Sequence, residues 1–474
     1  MDRQELARKI EQVCEIMRRD GLTILGYMEQ LSWLIFLKVF EDLEREFRLE
    51  AEFEGRKYEP IIDPKYSWSS WAKKDMRADE LRDFIEKELL PYLRSLHGTK
   101  ERNLIARVFS EVRQRMRDPF NLKEVIMMLN DIDFTNPEDS HTLSQIYEEL
   151  LMMMGREGGA AGEYYTPRPI VRLMVKIVNP KIGETVFDPF AGSCGFLVES
   201  FKHMKEQRSL TTEEYALLLE KTFYGQELKA LPYLIGVMNC ILHGLLLPNM
   251  ERRDTFEENI VIAPKRRFDV ILTNPPFGGK VAKHLQDNLP VKTSSTELAA
   301  LQYCMRKLNK GGRCGIVLPE GVLFRGGAYK RVKMGLLRNF NVHTIISLPS
   351  GTFAHIAPKG GTGPKANLVF FDRTGSTKEI WYYELQGNYT KANPVKDEDL
   401  VDCFEKWKNR EISENSWVVP IEEIIERDCD LTARNPNKEK EIVYPEPEEL
   451  VESVVEKERQ ILEILQELHE LLGR

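Results

Sequence analysis

Hydrophobic positions recur with two different periods along this chain, and the period changes near residue 160. Over 22–47 and again over 143–154 the apolar residues follow a helical spacing, which predicts a helical domain over 1–154. Four glycines within 155–162 mark its end. From there to residue 385 short apolar runs alternate with amphipathic stretches, and this alternation is typical of a doubly wound α/β sheet.

Short apolar runs give the predicted strands of that sheet. They cover 185–188, 222–227, 268–272, 313–318, 343–348 and 368–371. A helix is predicted between the second and third of these runs, over 230–243. The segment 278–295, after the third run, has no clear periodicity. It is either a mobile loop that closes over a substrate or an ordinary surface loop.

The chain becomes polar and irregular after residue 383, so we predict a connector over 386–444 and a C-terminal helix over 445–474. The apolar residues of that helix lie near heptad spacing. They are Val451, Val454, Val455, Ile461, Leu462, Leu465, Leu468 and Leu472. Two or three heptads are too few for a firm coiled-coil prediction. An exposed apolar stripe needs a partner, in the same chain or another, so we expect this helix to serve subunit assembly.

Composition narrows the class of protein. The 474 residues are 42% hydrophobic and 30% charged, as in ordinary globular proteins, and the net charge is −8. An acidic balance argues against strong DNA binding by this chain alone, although a local basic surface is compatible with it. The seven cysteines have no C-x-x-C spacing, so we expect reduced thiols in a cytoplasmic protein and no metal site. We expect neither a signal sequence nor a membrane span.

The stretch 268–278 carries the most specific chemistry. An apolar run ends in Asn274, Pro275, Pro276 and Phe277. Two successive prolines give a stiff turn at the carboxyl end of a strand, where open α/β sheets bind ligands. The side-chain carbonyl of Asn274 and the backbone carbonyl of Pro275 can accept hydrogen bonds from an amino group, while Phe277 can stack on a planar base. An ordinary strand-to-loop turn is the simpler alternative.

A loop of small residues follows the first strand, between Asp188 and Gly195. Its glycines allow the backbone to approach a ligand, and a helix begins directly after it. One glycine of the dinucleotide fingerprint is missing, so a pyrophosphate is not the expected ligand. Because Asp188 can accept from an ammonium group, a zwitterionic amino acid fits this loop better.

Two acids follow at positions where this fold binds nucleosides. Glu227 ends the second strand, where an acid typically accepts from ribose hydroxyls. Asp254 is placed to accept from an adenine amino group. Each acid, taken alone, is equally well explained as a solvated surface residue.

An aromatic and cationic cluster precedes the sheet, at Gly162–Pro169 in the sequence. Thr166 is a predicted N-cap and Pro167 the predicted first residue of a helix. Tyr164, Tyr165 and Arg168 then bring together groups that suit a ligand's carboxylate.

In this order, the motifs resemble those of the gamma-class DNA adenine N6-methyltransferases, and most closely the modification (M) subunit of type I restriction-modification systems. The similarity extends to 31–44, 318–324 and 428–437, so it covers most of the chain. Two features depart from the family pattern. Cys194 stands where the family's loop usually has a small residue, and the loop 357–364 differs from the family's usual loop.

The resemblance implies the residues of the site. The implied catalytic residues are Asn274, Pro275, Pro276 and Phe277. The residues implied to bind S-adenosyl-L-methionine are Glu163, Tyr164, Tyr165, Thr166, Pro167, Arg168, Asp188, Gly192, Ser193, Cys194, Gly195, Glu227 and Asp254. The implied reaction is methyl transfer from that cofactor to N6 of an adenine flipped out of double-stranded DNA.

The resemblance also implies partners. A separate specificity (S) subunit would supply sequence recognition, held by two copies of this chain, and a restriction (R) subunit would complete the complex. In agreement, we find no stretch of about 100 residues after the Asn-Pro-Pro-Phe motif to serve as a recognition domain. Two alternatives remain open: a methyltransferase for a glutamine amide or RNA, and a structural subunit that retains the fold without turnover.

Overall fold

The computed structural model describes residues 3–132, 137–157, 165–262, 264–356 and 363–437, together with 458, 459, 461, 462, 464 and 465. The chain divides into two units, Met1–Arg434 and Asn435–Arg474. The α-helices of the first unit are α1 Arg3–Arg19, α2 Ile24–Phe53, α3 Trp68–Trp71, α4 Ala78–Phe84, α5 Leu90–Ser95, α6 Lys100–Phe109, α7 Pro119–Asn130, α8 Pro137–Glu157, α9 Arg168–Val178, α10 Gly195–Glu206, α11 Thr212–Lys221, α12 Ala230–Leu242, α13 Thr296–Lys307, α14 Glu320–Phe324, α15 Ala328–Asn339, α16 Val401–Asn409 and α17 Ile421–Glu426. The strands are β1 Val186–Asp188, β2 Phe223–Glu227, β3 Asn249–Arg252, β4 Phe268–Thr273, β5 Leu308–Pro319, β6 Asn341–Ser347, β7 Ala366–Asp372, β8 Glu379–Glu384 and β9 Ser416–Pro420.

The N-terminal part of the chain is helical, as its periodicity predicts. Helix α2 is apolar around much of its circumference and lies in the core, where Leu31, Trp33 and Leu34 are fully buried. The Lys38 ammonium, on the same helix, donates to the backbone carbonyls of Leu129 (2.9 Å) and Asn130 (2.6 Å). These carbonyls lie at the C-terminus of α7, where a cation is favourable, so Lys38 joins the two helices.

The sheet has nine strands in the order β3-β2-β1-β4-β5-β7-β6-β8-β9. The first five strands in this order are parallel. Strand β7 runs antiparallel between β5 and β6, and β9 runs antiparallel to β8 at the edge. The predicted strands all form, and the predicted doubly wound fold is confirmed. The short β3 and the late β8 and β9 were not predicted.

Strand β9 and helices α16 and α17 lie within 386–444, which was expected to be a connector. Strand β9 hydrogen-bonds to β8, with Ile380 opposite Val419 and Tyr382 opposite Trp417. The sheet therefore continues past residue 385. The polar composition of the loops around β9 conceals a strand that is apolar over only a few positions.

Helices cover both faces of the sheet. One face packs against α9, α10 and α12, and the other against α13 and α15. The chain leaves β1 towards β2 and β3 on one side, and then returns to β4 on the other side. The carboxyl ends of β1, β2 and β4 therefore meet where the strand order reverses, which is the place where such sheets bind ligands.

Of the predicted C-terminal helix, the described residues are helical. Among them Ile461, Leu462 and Leu465 are more than half exposed, with 56%, 60% and 55% of their surfaces accessible. The stripe residues Val451, Val454, Val455, Leu468 and Leu472 lie outside the described residues. Within the described residues, the helices are too short or too polar to cross a membrane.

Candidate functional site

A pocket of about 410 Å³ opens at the point where the strand order reverses. Six residues proposed from the sequence line it: Gly192, Glu227, Asp254, Asn274, Pro276 and Phe277. The sequence did not point to the other walls, which are Pro189, Phe190, Gln226, Leu228, Lys229, Thr255, Phe256, Gly278, Gly279, Lys280, Val281 and Thr296. Their types carry little signal, because backbone and apolar surface form most of such a wall.

Asn274 follows the last residue of β4 and presents one end of its amide to the pocket. Its Nδ2 donates to the Thr166 hydroxyl at 3.1 Å. Its Oδ1 is buried and has no hydrogen-bond partner among the described residues. A buried acceptor without a donor costs free energy, so this oxygen is suited to a donor that arrives with a ligand.

Thr166 therefore has a different role from the predicted helix cap. Helix α9 begins at Arg168, and Pro167 occupies the N-cap position without a side-chain hydrogen bond. The prediction of Thr166 as N-cap and Pro167 as first helical residue is wrong by one residue. The Thr166 hydroxyl instead accepts from Asn274, which lies 108 positions later in the sequence.

Phe277 lies partly exposed at the mouth of the pocket. Phe353 packs against its edge, with ring centroids 5.8 Å apart and ring planes at 67°. This T-shaped contact restricts the orientation of the Phe277 ring. Phe353 was not identified from the sequence, because it lies 76 residues later in an irregular segment after β6.

The segment after Phe277 is tied to the start of α13. The Gly278 amide donates to Glu297 Oε1 at 2.6 Å, and the Ser295 hydroxyl donates to Glu297 Oε2 at 2.7 Å. A β-bridge between Lys280 and Ser295 closes the base of the loop. These contacts tie down both ends of 278–295, so of the two alternatives they favour the ordinary surface loop.

Glu227 and Asp254 both reach the pocket. Glu227 accepts from the amides of Gly192 at 3.1 Å and Lys229 at 2.8 Å. Burial raises the pKa of Glu227 in spite of these bonds. Asp254 accepts from the Phe256 amide at 2.9 Å and thereby caps a short 3₁₀ helix. Each carboxylate has a second oxygen or free lone pairs for a ligand's donors.

Asp188 lies beneath the pocket and not in its wall. Its Oδ1 accepts from the Thr273 hydroxyl at 2.7 Å and from the Phe190 amide at 3.0 Å. Burial raises the pKa of Asp188 to about 7, and the charge of Glu227 adds to this effect. Asp188 thus joins the end of β1 to the end of β4, directly before Asn274.

The loop 191–195 packs closely against two helices. A Cβ at Gly236 on α12 would lie 2.6 Å from the Gly192 carbonyl oxygen, so glycine permits this approach. A Cβ at Gly195 would overlap the Arg168 guanidinium. Ser193, Cys194 and Gly195, which were expected to bind cofactor, are absent from the lining of the pocket. Cys194 is buried, and its Sγ lies 3.7 Å from Met250 Sδ.

Arg168 binds an internal carboxylate. Its Nε and Nη2 donate to the two oxygens of Glu148 at 2.7 and 3.2 Å, and its guanidinium lies 4.9 Å from the ring of Tyr165. The cluster was expected to suit a ligand's carboxylate, and the structure shows Glu148 on α8 in that place. Tyr165, Pro167 and Arg168 line a neighbouring cavity of about 490 Å³. Glu163 and Tyr164 lie outside the described residues.

Comparison with known proteins gives a consistent family. Residues 138–443 match the N-6 DNA Methylase family and residues 6–129 match the HsdM N-terminal domain family. The EcoEI methylase subunit of Escherichia coli, from a type I restriction enzyme, is 35% identical over an alignment of 489 residues. The alignment covers 98% of this chain and 97% of the relative. The chain belongs to the type I methylase subunits.

Solved structures of such subunits share the fold. A modification subunit of a type I restriction enzyme from Vibrio vulnificus YJ016 is 38% identical, with a TM-score of 0.79 over 92% of this chain and 97% of that one. A chain from a study of complex assembly in the type I R-M system is 46% identical, with a TM-score of 0.85 over 100% of this chain and 99% of that one.

Membership of the type I methylase subunits confirms the family inferred from the motifs. This methylase subunit is an adenine-specific DNA methyltransferase. The alternatives of a glutamine-amide or RNA methyltransferase are therefore set aside. The pocket geometry is compatible with the family's reaction, since it combines an unpartnered amide oxygen, a partly exposed ring and two carboxylates.

Proposed function

We propose that the pocket at the strand-order reversal binds S-adenosyl-L-methionine beside a flipped adenine, and that Asn274 to Phe277 hold the adenine's amino group. The observation that carries this proposal is the buried, unpartnered Oδ1 of Asn274. An exocyclic amino group is the type of donor that this oxygen lacks.

The pocket residues fit a nucleoside-bearing cofactor. The Glu227 carboxylate suits the two hydroxyls of a ribose, and Asp254 suits an adenine amino group. Phe190 and Phe256 supply apolar walls, with ring centroids 5.6 Å apart. The cofactor, when bound, supplies a methyl group on a positively charged sulfur.

The residues after β4 would act on the target base. Asn274 Oδ1 and the Pro275 carbonyl would accept from the amino group and fix its direction, and positioning of this kind can lower a barrier by several kcal/mol. The same dipoles would stabilise positive charge that develops on N6. Phe277 would stack on the base. Proton loss to water completes the reaction, so no side chain is assigned as general base.

Replacement of the amide tests the catalytic assignment. Asn274→Ala should abolish methylation of DNA by the assembled complex and leave cofactor affinity within about twofold, because Asn274 would contact the amino group of the target. Radiolabelled methyl transfer gives the first readout and calorimetry the second. Turnover near the wild-type rate would exclude the assigned role.

Replacement of the acid at the end of β2 tests the cofactor site. Glu227→Ala should weaken cofactor binding by about 1.5–3 kcal/mol, since hydrogen bonds to a charged group are lost. Glu220→Ala, at an exposed position on α11, is the matched control. An unaltered affinity of Glu227→Ala for the cofactor would show that Glu227 does not bind it.

We further propose that this methylase subunit acts on DNA in the cytoplasm with a specificity subunit, a second copy of itself and, in the full complex, a restriction subunit. Its net charge of −8 supports reliance on a partner for DNA binding. The exposed apolar residues Ile461, Leu462 and Leu465 support the C-terminal segment as a docking surface.

Truncation before residue 445 tests that surface. The shortened chain should lose co-purification with the specificity subunit and retain cofactor binding. Efficient methylation of a defined site by the purified full chain alone would contradict the need for a partner. Unchanged co-purification after truncation would show that another surface, such as the N-terminal helices, contacts the specificity subunit.

A further inference from the structure

On the sheet face that packs against α13, the described part of the crossover from β3 to β4 leaves some of β1, β2 and β4 uncovered. Parallel strands are normally buried on both faces, because each crossover connection lays a helix across the sheet. The crossover from β3 to β4 spans 253–267, and its described residues form only the 3₁₀ helix Thr255–Glu257. A cavity of about 390 Å³ remains over the strands, which we call the face pocket.

Aromatic rings form the floor of the face pocket. Phe187 and Phe268 stack with ring centroids 4.2 Å apart, and Tyr224 lies 5.4 Å from Phe268. Helix α6 bounds the other side. The face pocket shares only Gln226 with the lining of the pocket at the strand-order reversal, which is called the cofactor pocket below. It is therefore a separate site.

The face pocket carries an excess of positive charge. Two of its cations are matched by carboxylates: Lys307 Nζ lies 2.9 Å from Glu258 and Arg253 Nη1 lies 3.6 Å from Glu251. Four further cations line it without a carboxylate within 4.0 Å in the described chain. They are Lys100, Arg107, Lys265 and Arg266. Such an excess around a concave surface favours an anion.

Two guanidinium groups, those of Arg253 and Arg266, indicate more closely what kind of anion the pocket would bind. The Nε of Arg253 is buried and donates to no acceptor among the described residues, so a ligand oxygen would satisfy it. The guanidinium of Arg266 lies 3.8 Å from the centre of the Tyr224 ring. This stack presents a flat, cationic surface on which a planar heterocycle can lie.

We propose that the face pocket binds a nucleoside phosphate. The phosphates would lie among the four uncompensated cations and accept from Arg253, and the base would stack on the layer formed by Arg266 and Tyr224. A bare anion would use only the cations of the pocket. An apolar ligand would use only the stacking surface. The proposal does not depend on the cofactor pocket, because the two linings are nearly disjoint.

Titration with ADP tests the proposal on the full-length chain. Calorimetry at low salt, with excess S-adenosylhomocysteine present to fill the cofactor pocket, should show saturable ADP binding. Arg266→Ala and Arg253→Met should each weaken it by about tenfold or more, because each removes a charged donor. Arg338→Ala, at an exposed position on α15, should leave it unchanged. Inorganic phosphate should bind more weakly than ADP, since it lacks a base to stack.

Three results would overturn the proposal. The first is the absence of saturable ADP binding. The second is equal ADP affinity in the wild type, Arg266→Ala and Arg253→Met. The third is equal affinity for phosphate and ADP, which would remove the stacking contact. Thermal melts of each variant identify loss of folding. Lys265→Ala removes a cation of the face pocket at an exposed position, so it should weaken ADP binding without affecting folding. ADP binding should persist in Asn274→Ala, so failure of the catalytic assignment stays distinguishable.

Discussion

Asn274 has a primary amide whose two ends differ in hydrogen-bonding character, since one donates and the other accepts. In the structure Nδ2 lies 3.1 Å from the Thr166 hydroxyl, so the donating end of the amide faces Thr166. The accepting oxygen is then left without a partner among the described residues. Thr166 is thus a positioning residue for the amide, and this role comes from a contact between segments far apart in sequence.

Substitution of Thr166 separates positioning from cofactor binding. Thr166→Val removes the acceptor and keeps the shape, so kcat should fall by about tenfold or more while the KM for cofactor stays near the wild-type value. Thr166→Ser restores the hydroxyl and should recover most of the rate. Steady-state methylation assays of the assembled complex give both constants. A rise in the KM for cofactor without a fall in kcat would indicate instead that Thr166 contacts the cofactor.

Asp188 makes stability depend on pH in a definite direction. Its pKa in the folded protein is about 7, above the usual value near 4, because the carboxyl group is buried. The folded state therefore holds a proton that the unfolded state releases. The stability that this proton contributes is complete below about pH 4 and is lost as the pH rises through about 7.

The difference between wild type and Asp188→Asn isolates this contribution. Asparagine keeps an oxygen for the Thr273 and Phe190 donors and does not titrate. Relative to wild type, the variant should gain stability as the pH rises from about 4 to 7, and the difference should level off above about pH 8. Thermal melts of both proteins across this range give the difference. A constant difference would show that Asp188 does not titrate there.

The positions of several pocket residues were predictable because the signals for them are local. Asn274 and Phe277 follow an apolar strand and flank two prolines, and Glu227 ends β2. The role of Arg168 was not predictable, since its partner Glu148 lies on α8 and only the packed structure brings the two together. Sequence spacing places residues on elements, and it does not reveal which elements meet.

At the scale of elements, the turn 274–278 is held from outside by the start of α13. The Glu297 carboxylate is nearly buried and bonds both the Gly278 amide and the Ser295 hydroxyl. It therefore fixes the backbone that leaves Phe277. A carboxylate at the first turn of a helix is also favoured by the helix dipole, which keeps it in place.

Removal of that bond should loosen the turn without unfolding the protein. Glu297→Ala leaves the Gly278 amide without its acceptor, so we expect a loss of about 1–3 kcal/mol in stability and a lower kcat. Glu297→Gln can still accept from the amide and should keep most of the activity. Denaturant titration and methylation kinetics measure the two effects. Full activity in Glu297→Ala would show that the bond does not support the turn.

The strands were predicted more completely than their order. Long apolar runs such as 268–272 and 368–371 mark strands wherever they lie, because burial on both faces requires them. The antiparallel insertion of β7 between β5 and β6 depends on contacts between distant segments. Strand β3 has the sequence Asn-Met-Glu-Arg and escapes detection, since an edge strand is buried on fewer sides.

At the scale of the whole molecule, the ion pair of Arg168 and Glu148 joins the helical part to the sheet. Both side chains are largely buried, with 9% and 18% of their surfaces accessible. Arg168→Met would leave the Glu148 carboxylate buried without its partner, at a cost of about 3–5 kcal/mol in stability. Arg168→Met combined with Glu148→Gln should cost less. Denaturant unfolding of the single and double variants measures the difference, and equal stability in all of them would show that the pair is not coupled.

The apolar core runs without interruption from the N-terminal helices into the sheet. One cluster of buried side chains includes Leu6 and Trp33 from the helices and Val270 and Leu368 from the strands. A chimaera that exchanges only the N-terminal helices between two relatives would cut through this cluster and mismatch its two halves. Natural recombination within the family should therefore transmit the helices and the sheet as a single inherited block, and changes of DNA target should arise in a different polypeptide.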